Sequence, residues 1–170
     1  MELCVNNSWS GAYVTRHVPN VNADQDPDGS VSSGMARADK LHREDGTKPQ
    51  VILTFIGIND LNAGVSPEAA QRAYGQMVNT IRQTYPDAQV FCMGMPRRCD
   101  HSEEGAAAYN AALQAAVAQA GDCAHYVDLY HSAFREEVYR SNSLDNLHPN
   151  AFGMDYLTDC FAQALEAQFS

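Results

Sequence analysis

The run Val51-Ile52-Leu53-Thr54-Phe55-Ile56 is β-branched or apolar at every position. A strand with no polar face needs cover on both sides, which points to the interior of a parallel sheet flanked by helices. The rest of the chain fits that architecture. Ala88 to Met93 reads as the next strand and His125 to Leu129 as a further short one. Amphipathic segments alternate with these runs. One helix begins at Ser66-Pro67-Glu68, with Ser66 as N-cap and Pro67 in the first helical position, and Pro86 stops it after Tyr85. A second follows Ser102 and runs to about Gly121, and a third spans about Ala151 to Gln168. The spacing of Val31, Met35, Ala38 and Leu41 predicts a helix over 30–43, Leu3-Cys4-Val5 reads as a strand end, and 132–139 as a short helix. Alternation of this kind predicts a three-layer α/β fold with a short, mostly parallel sheet.

The 170 residues suffice for a single domain, 1–170, with a core that needs no disulfide or metal staple. A net charge of −10 argues against nucleic acid and anionic membranes as partners. No apolar run reaches the roughly 20 residues of a membrane span. The five cysteines are widely spaced without a C-x-x-C pair, which favours a reducing, cytoplasmic compartment. Cys4, Cys92 and Cys160 lie in apolar runs and read as core residues.

Three loops carry chemistry. Asp145-Asn146-Leu147-His148-Pro149 places an acid three residues before a histidine. A carboxylate there can accept from Nδ1–H and leave Nε2 as a general base, although an Asp turn before a helix has the same form. Gly57-Ile58-Asn59-Asp60 follows the central strand, where sites form in open parallel sheets, and the Asn59 amide can face a developing oxyanion. Gly57 permits a bend there. Asn6-Asn7-Ser8-Trp9-Ser10-Gly11 follows the first apolar run, and the Gly11 N–H can act as a second oxyanion donor. Each of the last two segments could equally be an ordinary polar turn.

Together, in this order, the three loops resemble the SGNH (GDSL-like) hydrolase family over residues 3 to about 165. The resemblance implies a flavodoxin-like three-layer α/β/α fold and a serine esterase or acylhydrolase that works through an acyl-enzyme. It implies His148 as base, Asp145 as its partner, and Gly11 and Asn59 as oxyanion donors, supported by Gly57 and Asp60. It implies small-molecule esters, including acetylated sugars, as substrates, and no metal or organic cofactor.

The family's Gly-Asp-Ser block, whose serine is the nucleophile, is absent from the sequence. Asp28-Gly29-Ser30 has the wrong order and follows no strand. The expectation is an N-terminal truncation that removes the usual first strand, leaving this chain inactive and export undecided. Either the first apolar run would pair directly with Val51–Ile56, or another chain would cover the exposed edge in a homo-oligomer. Ser10 is the candidate substitute nucleophile. The rival reading is a non-catalytic chain that binds acyl or carbohydrate ligands. A flavodoxin-like binding domain fits less well, because no phosphate-cradling loop follows a strand. Trp9, Tyr13 and the Arg97-Arg98 pair read as packing or solvated loop residues.

Overall fold

The computed structural model of the chain describes residues 2–8, 11–16, 18–19, 30–31, 34–96, 103–131, 144–145 and 148–170. Two short strands, β1 (Val18–Pro19) and β2 (Ser30–Val31), pair antiparallel. They lead into a single-turn helix, α1 (Gly34–Arg37). The main sheet holds β3 (Val51–Thr54), β4 (Gln89–Met93) and β5 (Ala124–Val127), parallel and in that spatial order. Ile52 lies opposite Val90, and Val90 opposite Ala124. The short helix α2 (Ile58–Asn62) follows β3, and the long helix α3 (Pro67–Thr84) crosses back to β4. Helix α4 (Glu103–Ala118) links β4 to β5, and α5 (Ala151–Phe169) closes the chain.

The two faces of the sheet separate residue by residue, as a period of two requires. On β4, Val90 and Cys92 enter the core formed with α3 and α4, where Tyr74, Val78, Ile81, Tyr109 and Leu113 are buried. Phe91 and Met93 enter the opposite core, with Val127, Leu129 and Leu157. Phe161 of α5 meets the Phe91 ring edge-on at 5.7 Å. Burying a side chain of this size contributes about 1.5–3 kcal/mol. The result is the expected three-layer α/β/α arrangement. Its helix starts are also as read: Ser66 Oγ accepts from Ala69 N at 3.3 Å, and Pro67 opens α3.

Three local expectations fail. The helix over 30–43 shrinks to Gly34–Arg37, because Ser30 and Val31 join a ladder and the Leu41 N–H donates to the Tyr85 hydroxyl at 2.6 Å. Residues 3–5 form no strand and do not pair with Val51–Ile56. Side chains hold this segment instead: Arg43 Nε donates to Cys4 O at 3.3 Å and Arg37 Nη1 to Asn7 O at 2.8 Å. β3 is consequently an edge of the main sheet rather than its centre, and Leu53 and Phe55 are each 45% exposed. Cys92 is buried as read, whereas Cys4 and Cys160 are half-buried. The short helix expected over 132–139 lies outside the described residues.

Candidate active site

The chain bends sharply where β3 ends. Gly57 has φ 129°, and a Cβ there would lie 3.0 Å from the Tyr109 hydroxyl oxygen. The bend starts α2 and directs its next two polar side chains at one segment, 12–15. Asn59 Nδ2 donates to Ala12 O at 3.0 Å. Asp60, fully buried, accepts from Val14 N at 2.8 Å and from Thr15 N at 3.1 Å through its two oxygens. The Thr15 hydroxyl adds a third bond of 2.6 Å. Gly11, just before this anchored segment, has φ 75°, and nothing among the described residues lies within 4 Å of where its Cβ would be. A left-handed backbone in open space leaves the Gly11 main chain approachable. The Asn59 amide carries two hydrogens, and the bond to Ala12 O uses one.

The second pair lies before α5. Asp145 Oδ2 is 2.7 Å from His148 Nδ1, and Asp145 Oδ1 accepts from the His148 backbone N at 2.7 Å. Leu144 N donates to His148 O at 2.7 Å and closes the loop, and Asn150 Oδ1 caps α5 by accepting from Gly153 N at 3.0 Å. A carboxylate can only accept, so Nδ1 carries a proton, and in the neutral ring Nε2 presents the lone pair. The two side chains are 64% and 53% exposed for His148 and Asp145, so Nε2 is reachable. In this topology, loops after parallel strands gather at their carboxyl ends. The 57–60 turn, directly after β3, belongs to that end. Among the described residues no hydrogen bond joins the two pairs. Ser10, Trp9 and the Arg97-Arg98 pair lie outside the described residues, as do Ser132, Ser141 and Ser143.

Two features escaped sequence reading. Asp128 and His131, directly after β5, repeat the acid–histidine geometry: Oδ2 to Nδ1 at 2.7 Å and Oδ1 to the backbone N at 3.0 Å. The signal was present in the sequence as a second D-x-x-H. The other is the Tyr109 hydroxyl, buried beside Gly57 without a hydrogen-bond partner among the described residues. Its only sequence trace is one tyrosine in an alanine-rich helix. Among the described residues no cluster of three or more His, Cys, Asp or Glu is arranged to hold a metal ion.

Solved structures place this geometry in context. A carbohydrate esterase family 3 protein from Talaromyces cellulolyticus is 21% identical, with a TM-score of 0.63, over 80% of this chain and 69% of its own. A psychrotrophic esterase from Pseudoalteromonas sp. is 14% identical, with a TM-score of 0.69, over 97% and 77%. A protein from Lactobacillus plantarum is 16% identical, with a TM-score of 0.72, over 93% and 78%. At these identities the likeness shows a shared fold. No curated protein matches the sequence. The sequence profile of the GDSL-like lipase/acylhydrolase family, however, runs from residue 5 to residue 156, across all three polar loops. By that match, and with the same three-layer fold, this chain belongs to the GDSL-like lipase/acylhydrolase family.

Proposed function

We propose that the site cleaves carboxylic esters by acyl transfer to a serine. His148 Nε2 takes the serine proton, and Asp145 holds the imidazole in the tautomer that makes this possible. The Gly11 N–H and the second Asn59 amide hydrogen stabilise the tetrahedral oxyanion, each such donor being worth about 3 kcal/mol. The observation that carries this reading is the 2.7 Å contact from Asp145 Oδ2 to His148 Nδ1 in a loop that leaves Nε2 exposed. The substrate class is a small ester, with acetylated carbohydrate as one member, since similar folds include a carbohydrate esterase.

A second reading has a specific observation behind it. The sequence contains no Gly-Asp-Ser, so the pocket could bind acyl or carbohydrate groups without cleaving them. Hydrolysis of p-nitrophenyl acetate separates the two, with His148→Ala and Ser10→Ala measured beside the parent chain. Activity lost in both variants makes Ser10 the nucleophile. A rate equal to free imidazole and indifferent to both substitutions means that this chain supplies no nucleophile; the binding reading then requires saturable binding of an acyl or carbohydrate ligand.

A further inference from the structure

Two adjacent residues of α4, Tyr109 and Asn110, reach the ends of two neighbouring strands. Asn110 is 5% exposed and uses its whole hydrogen-bonding capacity. Its Nδ2 donates to Met95 O at 3.0 Å and to Ala106 O at 3.1 Å, and its Oδ1 accepts from Met95 N at 2.7 Å and from the Tyr126 hydroxyl at 3.2 Å. Met95 lies just after β4, so this amide locks α4 to the end of that strand. Tyr109 is thereby carried to the end of β3. A Cβ on Gly57 would lie 3.0 Å from its hydroxyl oxygen, 3.3 Å from Cε1 and 3.6 Å from Cζ, so the edge of the tyrosine fills the space beside Gly57. The hydroxyl has no hydrogen-bond partner among the described residues, although Tyr109 is only 1% exposed. Burial, and after it the Asp60 carboxylate, hold its pKa well above that of an ordinary phenol, so it stays protonated. A buried hydroxyl without a partner costs stability that a phenylalanine would not, which points to a role other than stability.

We propose that Tyr109 is a positioning residue for the Asn59 amide, acting through Gly57. Its bearing on catalysis rests on the reading of Asn59 as an oxyanion donor. Gly57 turns the chain at φ 129°, and its carbonyl accepts from Leu61 N at 3.0 Å to open α2. Asn59 lies in that opening turn, with one amide hydrogen on Ala12 O at 3.0 Å and the second for the substrate. Glycine has the most mobile backbone of any residue, so a turn built on it depends on what packs against it. The tyrosine edge supplies that support at Gly57, while the bonds from Asp60 to Val14 and Thr15 tie the residue after Asn59 to the segment that follows Gly11. With the Tyr109 oxygen removed, Gly57 gains room, and the Asn59 amide gains freedom to leave Ala12 O. Groups in such a site work within about 0.5 Å of their productive positions, so a small shift of this turn reaches the reaction.

Nitrogen-15 spectra of the intact chain test this without requiring turnover. In Tyr109→Phe, hydrogen exchange at the Asn59 side-chain amide should quicken at least about fivefold while circular dichroism stays unchanged. Tyr85→Phe is the control: its hydroxyl accepts from Leu41 N at 2.6 Å, so its loss lowers Tm and leaves the Asn59 amide as it was. Where the intact chain hydrolyses p-nitrophenyl acetate, Tyr109→Phe should lower kcat about tenfold with KM unchanged, because the oxyanion forms only on the way through the transition state. An Asn59 amide that exchanges at the parent rate in Tyr109→Phe overturns the proposal. So does an equal change in Tyr85→Phe, which makes the effect a general loosening of the fold. A faster Asn59 amide with kcat unchanged upholds the link from Tyr109 to Asn59 and removes Asn59 from the oxyanion reading.

Discussion

Asp60→Ala tests whether α2 and the 12–15 segment are held by one buried carboxylate. The substitution removes bonds of 2.8, 3.1 and 2.6 Å and leaves the Val14 N–H, on a residue only 1% exposed, without its acceptor. A buried donor stripped of its partner costs about 1–3 kcal/mol, and bonds to a charged group exceed neutral ones. Two terms offset this: the carboxylate no longer has to be desolvated, and Thr15 is half-buried, so water can reach it. Breaking a buried charged cluster from one side nets about 3–5 kcal/mol. In a domain of this size that lowers Tm by roughly 6–20 °C. Urea unfolding followed by circular dichroism gives the number directly, provided the slope m is unchanged. Thr15→Val alone should cost about 1 kcal/mol, and nothing further in the Asp60→Ala background, because its partner is gone. A loss below about 1 kcal/mol for Asp60→Ala, or full additivity with Thr15→Val, refutes the argument.

Tyr109→Phe removes a buried hydroxyl without a hydrogen-bond partner among the described residues, so it should stabilise by about 1 kcal/mol, read as a rise in Tm; a loss of that size would reveal a partner. Burial holds the His125 ring below the usual imidazole pKa, with a ring nitrogen 2.6 Å from Gln89 Oε1. A base whose folded pKa is depressed stabilises the fold above its unfolded pKa and loses that contribution as pH falls through the folded value. His125→Gln should therefore flatten the loss of stability between about pH 7 and pH 5, measured by urea midpoints. Burial pushes the Cys92 thiol up to about 11, so iodoacetamide at pH 8 should leave Cys92 unmodified in the native chain and alkylate it in denaturant, as mass spectrometry would report.

Much of the frame was legible because it is encoded locally. Ser66, Pro67 and Pro86 bound α3 through capping and ring geometry that depend on neighbours in sequence. The apolar runs at 51–56 and 88–93 marked two strands, since a strand covered on both faces has little polar alternation, and the short segment 125–129 marked the third. The place of β3 in the sheet was not legible. An edge strand with exposed Leu53 and Phe55 has the same composition as a central one, and only the spatial partners distinguish them. The helix over 30–43 failed for a related reason. Its apolar spacing is real, but Leu41 satisfies its N–H on Tyr85, 44 residues away. The Asn59–Ala12 and Asp60–Val14 bonds are equally non-local. Sequence indicated the polar residues after β3, but not that Asn59 and Asp60 grip the same segment.

The repeated D-x-x-H shows what local geometry can decide and what it cannot. Asp128–His131 and Asp145–His148 have the same side-chain separation of 2.7 Å, because an aspartate that accepts from the backbone N three residues on brings its other oxygen to that residue's side chain. Both should therefore hold the Nδ1–H tautomer, opposite to the preference of free neutral histidine. Nitrogen-15 chemical shifts at alkaline pH would read this for both rings, and Asp128→Ala and Asp145→Ala should each return its own histidine to Nε2–H. The difference lies in what fixes the loops. The 144–148 loop is closed by Leu144 N to His148 O and continues through Pro149 into the capped start of α5. The contacts of the Asp128 turn include the Asp128 bonds and a ring contact between Tyr130 and His131, with centroids 5.0 Å apart, and no bond from the preceding residue's N–H to the His131 carbonyl is seen among the described residues. A general base has to be held within fractions of an ångström of its working position, which favours the doubly closed loop. In a chain with measurable ester hydrolysis, His148→Ala should remove about two to four orders of magnitude and His131→Ala less than a factor of two. The reverse order would move the base to the end of β5 and leave Asp145–His148 as a helix-entry turn.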